Sequence, residues 1–111
     1  MASDILGKLV TVTVDRPLGS RHPHYPDTVY PINYGFVEGV AAKDGEWQDA
    51  YILGVAESVP AFEGRVIAVI HRLNDVEDKW VVVPAGTPLD AEQIRAATWF
   101  QEQYFESVIE T

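Results

Sequence analysis

Val10, Val12 and Val14 alternate with Thr11 and Thr13 along residues 8–15, the two-residue period of a half-buried strand. The next stretch breaks that rhythm, because Pro17, Gly19, Pro23, Pro26 and Pro31 exclude a long helix or a central strand and predict an ordered loop. Tyr34, Phe36 and Val37 can form a short strand, residues 41–45 a turn, and residues 50–56 a further apolar strand. A second turn is expected at residues 60–64. Two β-branched runs follow, residues 65–71 and 79–83, separated by an acidic loop. The period then changes. Asp90 is placed to cap a helix with Gln93 three residues on, and Ile94, Ala97, Phe100, Tyr104 and Val108 recur at helical spacing, so one amphipathic helix is expected to end the chain. No repeat or linker interrupts the series. The predicted class is mainly β (α+β): one domain over residues 1–111, a small OB-like antiparallel β-barrel with one C-terminal α-helix.

Charge narrows the chemistry. Seventeen acidic residues against eight basic ones, a formal charge of -9, exclude a nucleic-acid partner or an anionic membrane surface, both of which need a basic footprint. The chain has no cysteine, so disulfides and thiolate metal sites are excluded, in keeping with a cytoplasmic protein. The opening residues carry no positive n-region followed by a long apolar segment, and neither a signal peptide nor a transmembrane span is expected.

The acidic residues fall in two turn-anchored clusters: Asp44, Glu46 and Asp49, then Asp75, Glu77 and Asp78. Short oxygen-bearing side chains of this kind suit Mg²⁺ or Mn²⁺, which accept a few carboxylates and keep waters for a phosphate or a nucleophile. Composition alone equally fits solvated acidic turns, and Tyr25, Tyr30 and Tyr34 equally fit aromatic packing.

A run of motifs in order along the chain favours the metal reading. Residues 30–36, YPINYGF, resemble the YPxNYGF signature of the family I inorganic pyrophosphatases, and residues 44–49, DGEWQD, resemble the DGDPxD motif of that family. Upstream, residues 14–21 are similar to its EIPxGSR segment. Downstream, residues 74–84 are similar to its acidic loop and following strand, and Phe100, Glu102 and Tyr104 to its FFExYK helix.

The resemblance spans nearly the whole chain and implies an OB-type barrel that hydrolyses pyrophosphate with Mg²⁺ and an activated water. It implies Asp44, Asp49, Asp75, Glu77 and Asp78 as metal ligands, Glu46 with Asp49 in the catalytic role, and Lys79, Tyr34, Tyr104 and Arg21 on phosphate. It also implies a homo-oligomer, for which Trp47, Trp80 and Trp99 offer contact surface. The chain departs from the pattern at cationic positions: the hairpin arginine is missing, His24 and Pro26 stand in the KYE segment, and Phe105 replaces the helix lysine. Arg16, Arg21, His24 and Arg72 are the available substitutes. Two alternatives follow from these departures: a phosphohydrolase acting on a larger phosphorylated or diphosphate metabolite, and a non-catalytic binding module.

Overall fold

The structure is a computed structural model that describes residues 3–43 and 45–111. One expected metal ligand, Asp44, lies outside the described residues. The elements run β1 (Leu9–Arg16), β2 (Asn33–Ala41), β3 (Trp47–Ile52), β4 (Ala61–Arg72), β5 (Asp78–Val83), α1 (Ala91–Glu102) and β6 (Ser107–Glu110). Strands pair in the order β1-β2-β3-β5-β4-β6, and a further β1–β4 pairing closes the first five into a barrel. Closure is antiparallel along β1 and β4, from Leu9 opposite Arg65 to Thr13 opposite Ala61.

Two close approaches explain where glycine stands in the strands. A Cβ on Gly35 would lie 1.9 Å from the Thr13 carbonyl oxygen, and one on Gly64 would lie 2.4 Å from that of Val83. Both strands curl tightly over a neighbour at these points, and a side chain would force the ladder apart.

Alternation sorts the apolar residues into two layers. Val12, Val37, Ala50, Ile52, Val66 and Val82 cluster inside the barrel. Tyr51, Leu53, Ala68, Ile70, Val81 and Val83 cluster with Ile94 of the helix on the outside. Val66 and Ala68 are two residues apart yet belong to different layers, because a bulge in β4 adds one residue between their partners Val82 and Val81. Below the bulge β4 feeds the interior with its even-numbered side chains; above it the same parity faces the helix.

The helix begins where expected. The Asp90 side chain accepts from Gln93 N at 2.8 Å while the Gln93 side chain accepts from Asp90 N at 2.9 Å, a reciprocal capping box. It does not end the chain. It stops at Glu102, so Tyr104 and Val108 lie beyond it, and Ser107–Glu110 form an antiparallel strand on β4, with Ile109 opposite Ile70. The β-branched pair Val108 and Ile109 gains a ladder there that helical spacing alone did not reveal. Other limits also differ from the sequence reading. Residues 61–64 belong to β4 rather than to a turn, since β1 pairs with them, and β3 stops at Ile52. One pairing within the barrel departs from the antiparallel pattern: β3 and β5 run parallel, with Ala50 opposite Trp80, because β4 inserts between β5 and β1 after crossing the barrel.

Candidate active site

The outer face that carries Tyr51 and Val81 continues one step toward the strand starts with Asp49 and Lys79, and β2 adds Tyr34 opposite Tyr51. Lys79 is 2% exposed, and its ammonium is satisfied by three partners: Asp49 Oδ2 at 2.6 Å, Glu77 Oε2 at 2.6 Å and the Tyr34 hydroxyl at 3.0 Å. A buried cation needs such compensation, since an isolated charge here would cost several kcal/mol. Strand parity decides which acids take part. Glu77 and Lys79 share a face, whereas Asp78 turns to the other side and pairs with Lys43 and His71, each at 3.2 Å.

A second network joins the helix to the barrel beside this one. Glu102 accepts from Arg72 Nε at 3.0 Å and Nη2 at 2.6 Å, and from the Tyr51 hydroxyl at 2.6 Å. Gln101 donates to Tyr51 at 2.7 Å, and the Arg72 guanidinium lies 3.7 Å from the centroid of the Phe105 ring. Arg72 Nη1 also reaches Asp75 at 3.2 Å. A guanidinium with a ring over one face and carboxylates along its edges keeps one orientation, which a lysine would not.

Several of these groups line a cavity of about 820 Å³ between the barrel's outer face, the loop before β2 and the end of the helix. Arg16, Arg72 and Lys79 contribute cations to its wall, Asp49 and Glu77 carboxylates, and Tyr34 and Tyr104 phenols. Burial, and then the Asp49 charge, push the Tyr34 hydroxyl well above its ordinary range; burial and Glu102 do the same for Tyr51. Both phenols therefore keep their protons at neutral pH. Burial also raises the Asp15 carboxyl, opposed by Arg16, with the Asp49 charge a lesser contribution in the same direction as burial.

The remaining expected residues lie elsewhere. Arg21 is not on the cavity wall; its guanidinium donates to the Pro26 carbonyl at 2.8 Å. Glu46 is exposed just before β3, and it, Asp75 and Asp78 are outside the lining. Among the described residues no three His, Asp or Glu side chains form a ready metal-holding group. The sequence reading named Arg16 and Arg72 only as substitutes, yet both line the cavity. The β4 position of Arg72, seven residues before Lys79 on the antiparallel neighbour, was the available signal.

No family model matches the chain. Its sequence is 30% identical to an inorganic pyrophosphatase of Streptomyces coelicolor in an alignment 96 positions long that covers 69% of this chain and 59% of that protein. The chain thus spans less than two-thirds of the length of the curated relative it matches. Among solved structures, an inorganic pyrophosphatase from Neisseria gonorrhoeae aligns with a TM-score of 0.64 at 24% identity, covering 94% of this chain and 78% of that one. That of Ehrlichia chaffeensis aligns with a TM-score of 0.69 at 16% identity, covering 96% and 87%. No helix among the described residues is long and apolar enough to cross a membrane. The chain has the fold of the inorganic pyrophosphatases, and its sequence is similar to one of them.

Proposed function

We propose that this protein hydrolyses inorganic pyrophosphate to two phosphates with Mg²⁺ and water. The observation that carries the reading is the buried Lys79 ammonium, held by Asp49, Glu77 and Tyr34 at the wall of a cavity that also presents Arg16 and Arg72. The donor set fits a divalent cation: Mg²⁺ takes one or two protein carboxylates and completes its shell with water and phosphate oxygen, and Asp49 Oδ2 and Glu77 Oε2 already converge on one cation, each 2.6 Å from the Lys79 ammonium. Asp49 and Glu77 would hold the ion, with Asp44, Asp75 and Asp78 the further ligands implied by the resemblance. Mn²⁺ fits the same donors. The bound ion would neutralise phosphate charge and make its water more acidic.

The chain's own groups do the rest. Lys79 and Arg16 hold phosphate oxygens, and the Tyr34 and Tyr104 hydroxyls donate to them; Arg21 would join them only by leaving the Pro26 carbonyl. Asp49 accepts the proton of the attacking water as that water's oxygen bonds to one phosphorus; Glu46, the other candidate the resemblance implies for this role, would have to swing in from outside the cavity wall. The bridging P–O bond then breaks toward the cationic wall. These donors act on charge that grows in the transition state, where each is worth about 3 kcal/mol. Residence in the cytoplasm and assembly as a homo-oligomer belong to the same reading; Trp47 and Trp99, 46% and 48% exposed, provide apolar contact area.

The test is phosphate release from pyrophosphate with Mg²⁺, beside Asp49→Asn. Release that is lost in the variant supports the reading, and no release with either Mg²⁺ or Mn²⁺ sinks it.

A further inference from the structure

The cavity is larger than its phosphate-binding end requires. Pockets of its size, about 820 Å³, hold drug-sized ligands, and inorganic diphosphate alone leaves much of this one to water. The surplus is walled by rings. His22 stacks on Tyr30 with centroids 6.2 Å apart and planes 7° apart, Tyr30 stacks on Tyr34 at 5.9 Å and 26°, and the Tyr34 hydroxyl meets Lys79. One continuous aromatic row therefore leads from the loop to the buried ammonium. At its far end Tyr25 lies 5.1 Å from His22 and is 67% exposed on the cavity wall.

That end is built rather than loose. His22 N donates to the Thr28 carbonyl at 2.9 Å, and Thr28 N donates to the Tyr25 carbonyl at 2.8 Å. His22 Nδ1 accepts from His24 N at 3.0 Å and Tyr25 N at 3.3 Å, which leaves the ring N–H at Nε2. An exposed ring on a hydrogen-bonded loop is a stacking platform that loses little entropy when a planar ligand lands on it. Asp27 is on the same wall and carries a carboxylate to which sugar hydroxyls can donate.

We propose that the cavity accepts a nucleoside diphosphate, with the base on Tyr25 and His22, the ribose toward Asp27 and the phosphates at Arg16 and Lys79. This deepens the hydrolytic reading and rests on it for the phosphate end. In the reaction a water oxygen bonds to the terminal phosphorus and the P–O bond to the bridging oxygen breaks. Orthophosphate and a nucleoside monophosphate result, and the water's protons pass to the products and solvent.

The experiment uses ADP and pyrophosphate, each with Mg²⁺, on the full chain and on Tyr25→Ala and Tyr25→Phe. Phosphate release gives turnover, and saturation transfer to the adenine protons reports the ring. Loss of a stacked base predicts that Tyr25→Ala raises the ADP KM about tenfold relative to that for pyrophosphate, while Tyr25→Phe restores the ratio. Turnover of pyrophosphate with no ADP binding overturns the proposal and leaves the hydrolytic reading standing. ADP binding that depends on the Tyr25 ring, without release from either compound, upholds the ring seat and removes the hydrolytic reading. Absence of both binding and release overturns the two together.

Discussion

Asp49 and Lys79 stand side by side on parallel strands, with the ammonium 2.6 Å from the carboxylate. The pair couples charge balance to phosphate binding: a cation or phosphate entering the cavity exchanges partners with groups already held at close range. Replacing Lys79 by Met leaves Asp49 and Glu77 facing each other without that ammonium. Phosphate release is expected to fall about 10²-fold, and added Mg²⁺ to raise the melting temperature of the variant more than that of the parent. Equal Mg²⁺ responses in a calorimetric scan would remove Asp49 and Glu77 from the ion's site.

The Arg72–Glu102 bridge is almost fully buried, with side chains 4% and 3% exposed. Glu102→Ala takes the bidentate partner from a guanidinium that keeps Asp75 at 3.2 Å and Glu77 at 3.8 Å, and should cost about 1–3 kcal/mol in urea unfolding. Glu102→Gln keeps the shape and one acceptor, and a smaller loss is expected. Similar unfolding midpoints for the parent and the alanine variant would show that water replaces the carboxylate freely.

Local signals were the legible ones. The Asp90 and Gln93 cap needs four residues, and the Val10, Val12, Val14 alternation needs five, so both stand in the sequence as they stand in the fold. The parallel β3–β5 contact and the β1–β4 closure join segments far apart, and no short window encodes them. Helical spacing carried past Glu102 to Tyr104 and Val108 because periodicity ignores the free edge that β4 offers. The acidic loop likewise reads as one cluster, Asp75, Glu77 and Asp78, until alternation turns Glu77 to the cavity and Asp78 to His71. The cations were harder still: Arg72 reaches the cavity only because the bulge at residues 66–68 resets the parity of β4.

Gly35→Ala tests barrel closure. The new Cβ would press on the backbone of Thr13 and Val14, which cannot rotate away as a side chain does. A loss of about 1–3 kcal/mol is expected in chemical denaturation, and an unchanged midpoint would show that β1 can lift off β2 at little cost.

Acid should loosen the last strand. Glu110 accepts from Ser3 N and Oγ, each at 2.6 Å, and meets His71 Nε2 at 2.8 Å; the Ser3 bonds first, then His71, lower its carboxyl from 4.5 to about 2. The folded protein therefore binds fewer protons at this site than the unfolded chain. Its contribution is complete above 4.5 and disappears as the pH falls through about 2. Thermal melts of the parent and Glu110→Gln across that range should converge in acid. A gap that stays constant would place the stabilisation elsewhere.

Strand β4 shares one of its edges between two partners: residues 61–65 face β1 and residues 69–72 face β6. Peeling the four-residue β6 away would bare a short row of unpaired amide and carbonyl groups beside Val69 and Ile70. Such an edge is a template for a strand from another molecule. Ser107–Glu110 thus serves as a guard against self-association, and the same acid that releases Glu110 from Ser3 and His71 would uncover an aggregation-prone seam while the barrel beneath it remained closed.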